Sequence, residues 1–442
     1  MSEACGSAAA TRAAYRFFAQ PHVTLPALLE SHYESTARRV AAEALVLAVQ
    51  DTTSLNYSTH PATALLGPIG TKVDGPIGMF VHSTLAFNAA GTPLGLLDVQ
   101  QWTRDPDEFG IKHQRKERAF EEKESVRWRR SLEALARRPA AWPQTQVVSV
   151  GDREADIYEL FVWAKAQPGR PALLVRAEQD RLLADGQPRL WAHVLAQPEA
   201  GSLLLEVPRR QGRARRIARL SVRFAAVELQ PPRRKAYLGP VRIWAVLARE
   251  EQVPAQGEAL EWMLLTTLPV TDFAAAIEKL QWYAGRWGIA VFHRVLKSGC
   301  QVETRQLGAA DSLAACLAID LVVAWRIYHL SKLGREVPDV PCTVYFAEHE
   351  WQALVAAVRG PAALVPDQPP TLYEATRMVA SLGGFLGRKG DGEPGTQTLW
   401  LGLQRLDDIA FGWSLRTGGA RPAPRGPAAR DQSTVFRNPD YG

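Results

Sequence analysis

The 442-residue sequence predicts a mixed α/β core that gives way to an all-helical C-terminal part. Three observations carry this. Up to about residue 182, apolar runs of strand length alternate with amphipathic stretches. From 183 to 270 strand-length runs follow one another with little helical pattern between them, and beyond 306 the pattern is helical almost without a break.

The order of elements follows from local signals. Thr11 to Ala19 and Leu25 to Ala42 read as short helices separated at Pro21, so residues 1–43 form a helical lead-in. Ala44 to Gln50 is an apolar, β-compatible run that ends at Asp51, which places a carboxylate at the C-terminal end of a strand. Met79 to Phe87 and Pro93 to Trp102 are two further strands, and the short Gly-containing segment Asn88 to Thr92 between them predicts a hairpin. Pro106 to Lys123 is charged and irregular, as expected of a loop. Glu124 to Arg138 reads as a helix. Gln146 to Val150 is a buried strand running into Gly151-Asp152, Ala155 to Ala166 is the helix after it, and Pro171 to Val175 is a strand ending at Arg176. These elements, with residues 44–182, make the first part of the core.

Residues 183–270 then interrupt it. Leu203 to Val207, Ile217 to Phe224, Val241 to Ala248 and Trp262 to Thr267 predict a mostly β insertion. Between Arg209 and Lys235 it holds ten Lys or Arg residues and one acid, Glu228, interleaved with Ile217, Leu220, Val222 and Phe224. A solvated basic hairpin would look like this; so would a surface that neutralises nucleic-acid phosphates. Residues 271–305 return to the core with a helix. Asp311 to Leu333, Thr343 to Val358, Leu372 to Leu386 and Thr398 to Phe411 give the helical region 306–415, with Gly383-Gly384 bringing helices close. The tail from 416 to 442 is rich in Pro, Gly, Ala and Arg and is expected to be disordered.

Composition sets outer limits. With 46% hydrophobic residues the chain can bury a large core. No apolar run approaches the roughly 18 residues of a membrane span, and no signal-peptide pattern opens the chain, so a cytoplasmic location is expected. Cys5, Cys300, Cys316 and Cys342 are scattered without CxxC spacing, which argues for reduced thiols rather than a zinc site or a disulfide framework. A net charge of +6 and a pI of about 9.2 are compatible with a polyanionic partner.

The stretch that organises the rest is Tyr283 to Lys297, YAGRWGIAVFHRVLK. On a helix turning about 100° per residue, Tyr283, Arg286, Ala290 and Lys297, at offsets 0, 3, 7 and 14, share one narrow stripe. Ile289, Phe292 and Leu296 form the core-facing stripe, so the cations are expected to look out of the fold. A phenol, a guanidinium and an ammonium in one row suit a phosphate backbone.

Tyr-x2-Arg, a glutamate seven residues on from the Tyr, and a lysine seven further resembles the Y-R-E-K signature of IS-four type bacterial transposases, of the cut-and-paste kind found in transposon five. It matches at every place but one: Ala290 stands where that family has its catalytic glutamate. Asp51-Thr52-Thr53-Ser54-Leu55 resembles the family's first aspartate motif and Asp152-Arg153-Glu154-Ala155-Asp156 its second, and the similarity continues through Trp262 and Leu382-Gly383-Gly384-Phe385. The resemblance implies a ribonuclease H-like catalytic core, with Asp51 and Asp152 at the ends of its adjoining first and fourth strands. It also implies a helical region that holds two transposase molecules together. The family begins with a helical region that recognises the element's end sequence. This chain starts partway past it, so end recognition is expected to be weakened.

The resemblance further implies a site. Two Mg²⁺ ions, with Mn²⁺ as a substitute, would be held by Asp51, Asp152 and the residue at 290, because hard cations take carboxylate oxygens. Ala290 offers no oxygen, and Glu303 and Glu154 are poor substitutes, the first lying beyond Gly299 and the second oriented by the turn after Asp152. Tyr283, Arg286, Lys297, Arg176 and His293 are the candidate DNA contacts, with His293 equally readable as a helix-surface histidine. Trp262, 21 residues before Tyr283, would stack on a base flipped out near the element end. The expectation is a magnesium-dependent DNA transposase of an insertion sequence, working as a dimer on paired transposon ends and target DNA. Its steps would be end cleavage, hairpin formation and opening, and strand transfer, and Ala290 would disable it while DNA binding is kept. Two alternatives are a non-catalytic inhibitor that dimerises with active transposase and a metal-dependent nuclease without transfer activity. The nuclease gives no reason for the Tyr283 stripe or Trp262.

Overall fold

The computed structural model describes residues 5, 7–70, 75–106, 118–184, 186, 188–207, 216–252, 259–360 and 367–416. Two compact units divide the chain, Met1–Lys332 and Leu333–Gly442. The division falls inside a helix, later than the boundary near 306 that periodicity suggests, because periodicity marks where helices begin and not which neighbour they pack on.

In the first unit, α1 (Ala8–Phe18) and α2 (Leu25–Ala41) are each opened by a hydroxyl, Ser7 and Thr24, that accepts from a backbone N–H of the first turn. The core follows as β1 (Leu45–Asn56), the two-residue β2 (Gly67–Pro68), β3 (Ile77–Asn88), β4 (Pro93–Trp102), α3 (Val126–Ala136), β5 (Gln146–Gly151), α4 (Tyr158–Lys165) and β6 (Ala172–Arg176). β3 lies antiparallel between β4 and β1, and β1, β5 and β6 run parallel, giving the order β4-β3-β1-β5-β6. Val46, Ala48, Ala86, Leu94, Leu97, Leu135 and Val147 pack with Val40 of α2 on one side of this sheet.

β1 does not stop at Gln50 as its apolar run suggests. Its parallel pairing with β5 ends at Val49↔Val150, but its antiparallel pairing with β3 continues to Asn56↔Gly78. Asp51 therefore sits inside the strand, just past the last parallel pair, and Asp152 directly follows β5.

Residues 183–270 hold α5 (Leu190–Leu195), β7 (Gly201–Val207), β8 (Arg216–Leu229), β9 (Val241–Glu250) and β10 (Glu261–Thr266). These strands do not make a sheet of their own. β10 pairs antiparallel with β6, with Leu264 opposite Arg176, and the order continues β10-β9-β8-β7, so one sheet runs through both parts. Strand pattern is local and betrays no pairing partner, which is why the sequence suggested a separate insertion. Residues 209–215 of the basic stretch lie outside the described residues. Of the rest, Arg216 pairs with Glu250, Arg223 with Glu251 and Lys235 with Glu159. The stretch is less bare of acids than its own sequence implies, since its partners come from other elements.

The signature segment is not one regular helix. α6 (Phe273–Gly285), capped by Asp272, gives way at Arg286 to α7 (Trp287–Arg294), and Val295–Gly299 forms a wider π turn closed by Cys300 N–H to Val295 O at 2.9 Å. A wheel of about 100° per residue therefore loses phase before Lys297. α8 (Ala310–Glu336) follows. By length and composition it could cross a membrane, which the sequence reading missed, but 72% of its apolar window is buried within the protein.

The second unit contains α9 (Glu348–Arg359), α10 (Leu372–Leu382) and α11 (Thr396–Arg416), with Thr371 and Glu374 forming a capping box at α10. α10 and α11 touch backbone to backbone. A Cβ on Gly383 would come 1.9 Å from Thr398 O and one on Gly402 would come 1.8 Å from Val379 O, so Gly383 supports the expected close approach and Gly402 is its unforeseen counterpart. Residues 107–117 of the expected loop and 417–442 of the expected disordered tail lie outside the described residues. All four cysteines are free, and burial pushes the Cys300 and Cys342 thiols up to about 12.

Candidate active site

The side chains of successive strand residues alternate between faces, so Asp51 and Thr52 serve opposite sides of the sheet. Asp51 and its cross-strand partner Ser83 face α7. Asp51 Oδ2 lies 3.9 Å from Arg286 Nη1 and 3.9 Å from His293 Nδ1, while the Thr52 N–H donates to Asp51 Oδ1 at 3.0 Å. Burial raises the Asp51 pKa to about 6; Arg286 opposes the rise, and the nearby charges of Asp152 and Glu154 add to it. An ion pair as long as 3.9 Å is too loose to offset the burial.

Asp152 closes β5 and caps the short 3-10 turn Arg153–Ala155, its Oδ1 accepting from the Glu154 N–H at 2.9 Å. Arg286 and His293 both reach Asp51 from one helical segment. Ala290, one turn beyond the first and one before the second, belongs to that same face and brings only a methyl group. Position 290 thus shares the face that meets Asp51 without adding a carboxylate there. Glu303 does not replace it. Its Oε1 accepts from the Asn56 N–H at 2.7 Å, five residues and about 17 Å along β1 from Asp51.

The expected outward stripe is largely turned inward. Tyr283 is buried and meets Trp262 edge to face at 5.7 Å. The Arg286 side chain is only 12% exposed, and Lys297 is half-buried in the π turn. A helical wheel could not tell which side of the segment packs against the sheet. His293 is a clear departure from a surface histidine: it is buried with Nε2 3.5 Å from Ser83 Oγ, and burial and then the Lys297 charge lower its pKa to about 3, so it is neutral. Arg176 lies on the β6–β10 ladder and donates to Glu261 O at 2.8 Å. Trp262 is half-buried on β10.

The two aspartates, Arg286, Ala290, His293 and Lys297 therefore come together at one end of the central strands, with Tyr283 and Trp262 packed beside one another. Ser83 and Arg127, the latter donating to Thr52 Oγ1 at 2.9 Å and Glu154 Oε2 at 2.6 Å beside the aspartates, are the participants that sequence reasoning missed. Ser83 could have been found only from strand register, and Arg127 has no local signal at all. Among the described residues, no group of three or more His, Cys, Asp or Glu side chains is placed to hold a metal ion.

Among solved structures, the chain is similar to the piggyBac transposase in a cryo-EM structure of its synaptic complex with hairpin DNA. The TM-score is 0.33 with 9% identity, and the match spans 89% of this chain but 60%, under two thirds, of that one. Residues 322–416, which take in the end of α8 and all of α9 to α11, match the family model described as the Tn5 transposase dimerisation domain, so the C-terminal part of this chain is transposase-like.

Proposed function

We propose that the protein is a cut-and-paste DNA transposase of the two-aspartate-and-glutamate kind, with its glutamate position held by Ala290. The observation that carries the reading is that Asp51, just past the parallel pairing of β1 with β5, and Asp152, directly after β5, lie near one another, with Arg286 reaching Asp51 from the segment that carries Ala290. The strand order β4-β3-β1-β5-β6, with only β3 reversed, supports a ribonuclease H-like core, and the match over residues 322–416 supports a transposase role.

The donor set fits a divalent cation in part. Asp51 is raised toward neutrality by burial with two further carboxylates nearby, a charge imbalance that a cation would relieve. Asp51 and Asp152 would hold it. When bound, Mg²⁺ polarises a DNA phosphodiester and lowers the barrier to its attack by an oxygen nucleophile. The chain's own residues do the rest. Arg286 and Lys297 hold the phosphate, and neutral His293 lies beside the Asp51 carboxyl. Trp262 supplies a face for a displaced base, and residues 322–416 join two copies. Transposon-end and target DNA are the partners, met in the cytoplasm on the nucleoid.

Without an acid at 290, the rate falls by about 10²–10³-fold or more, by analogy with other single-group deletions. The test is Ala290→Glu on supercoiled plasmid. Mg²⁺-dependent nicking should appear in that variant and vanish again with Asp51→Asn; continued inactivity of a folded Ala290→Glu protein counts against the reading. Ala290 together with the dimerisation-domain match also favours a second role, as an inhibitor that pairs with active transposase. In that case the unaltered chain suppresses transposition at stoichiometric amounts.

A further inference from the structure

On the sheet face opposite Asp51, a buried polar chain crosses four elements. Arg127, on α3, has a side chain only 13% exposed, and each of its three nitrogens donates one hydrogen bond. Nε donates to Thr52 Oγ1 at 2.9 Å, Nη1 to Glu124 O at 3.0 Å and Nη2 to Glu154 Oε2 at 2.6 Å. Thr52 and Glu154 are the same two residues whose backbone N–H groups hold the carboxylates, Thr52 on Asp51 Oδ1 and Glu154 on Asp152 Oδ1. The arrangement is therefore symmetric about one guanidinium. Each acid is held by a backbone amide, and the side chain behind each amide is held by Arg127.

The chain continues inward with a single direction. Gln50 Oε1 can only accept, so His82, which burial keeps neutral, has its hydrogen on Nε2, and its Nδ1 accepts from the Thr52 hydroxyl 2.8 Å away. His82 Nε2 donates to Gln50 Oε1 at 3.1 Å, and Gln50 Nε2 donates to Ser149 Oγ at 2.8 Å. The run ties β1, β3 and β5 together beneath the acids, with Arg127 donating into its outer end.

We propose that Arg127 is a positioning residue that keeps the Asp51 and Asp152 carboxylates in register by bridging Thr52 and Glu154. The proposal rests on the reading of those aspartates as cation ligands. Lysine cannot replace it, because a single ammonium point cannot reach both partners as the forked guanidinium does.

The experiment measures Mn²⁺ affinity of the full chain by electron paramagnetic resonance of the free ion, with thermal melting to confirm folding. Asp51→Asn should abolish binding. Arg127→Met should weaken it by about 10- to 100-fold, as loss of a residue orienting ligands does, and Arg127→Lys should recover little. Glu154 is 62% exposed, so Glu154→Gln takes the charge from one half of the bridge, leaving only a neutral acceptor, without endangering the fold. It should weaken binding too, and the double variant with Arg127→Met should lose no more than Arg127→Met alone. A merely structural arginine would lower the melting temperature and leave Mn²⁺ affinity unmoved below it. Unchanged affinity in Arg127→Met or Glu154→Gln, or losses that multiply independently, overturns the proposal while the site reading stands. If Asp51→Asn leaves binding intact, the site reading falls and takes the clamp with it.

Discussion

Asp51 concentrates the physical tension of the molecule: a carboxyl raised to about 6 by burial, with one loose cationic partner. Arg286 should serve DNA more than it serves the fold. Arg286→Ala is expected to weaken DNA binding across sequences and to reduce the salt-dependence slope by about one, read by titration at several salt concentrations. An unchanged slope would remove Arg286 from the phosphate contacts. Trp262 belongs to the same scale. Trp262→Ala should cost about 1–3 kcal/mol of binding to an end with an unpaired base and little on intact duplex, which a competition assay can measure. The nearness of Asp51 to Asp152 was legible in the sequence because short motifs surround them. The inward turn of Tyr283 and the burial of His293 were not, since a helical wheel reports which residues share a face but not what faces them.

At the scale of elements, α7 is held against β3 and α8 at a glycine. A Cβ on Gly288 would stand 2.8 Å from the Phe87 ring and 3.0 Å from Tyr328 Oη. Gly288→Ala should therefore destabilise the protein by roughly 1–3 kcal/mol through overpacking, visible as a lower urea midpoint, and an unaltered midpoint would show that α7 has room to move. Most elements were legible because their apolar spacing is strong: β4, expected from Pro93 to Trp102, has those bounds. The break at Arg286 and the π turn at Val295–Gly299 were not, because nothing in the residue types distinguishes them from continued helix. Likewise the union of β6 with β10 depends on a pairing between strands 85 or more residues apart, such as Arg176 with Leu264.

The whole molecule should be sensitive to acid. Burial, reinforced by Arg39, holds His32 at about 3 and His329 at about 4, whereas in the unfolded chain both titrate near 6.5. Below 6.5 the unfolded state binds more protons than the folded one. Stability is therefore complete above that pH and falls as pH drops toward 4, by about 1.4 kcal/mol per unit for each histidine. Melting temperature followed from about pH 7 down to 4.5 should show this decline, and His32→Gln should flatten it; a pH-independent curve would mean that these rings are not held neutral. The same-scale consequence of the match over residues 322–416 is self-association, which sedimentation should report as a concentration-dependent dimer. What decides the account is whether Asp51 and Asp152 share a cation. Crystals grown with Mn²⁺ and measured for anomalous scattering should show a peak at about 2.0–2.6 Å from oxygens of both carboxyls, and a peak elsewhere or none at the pair would contradict it.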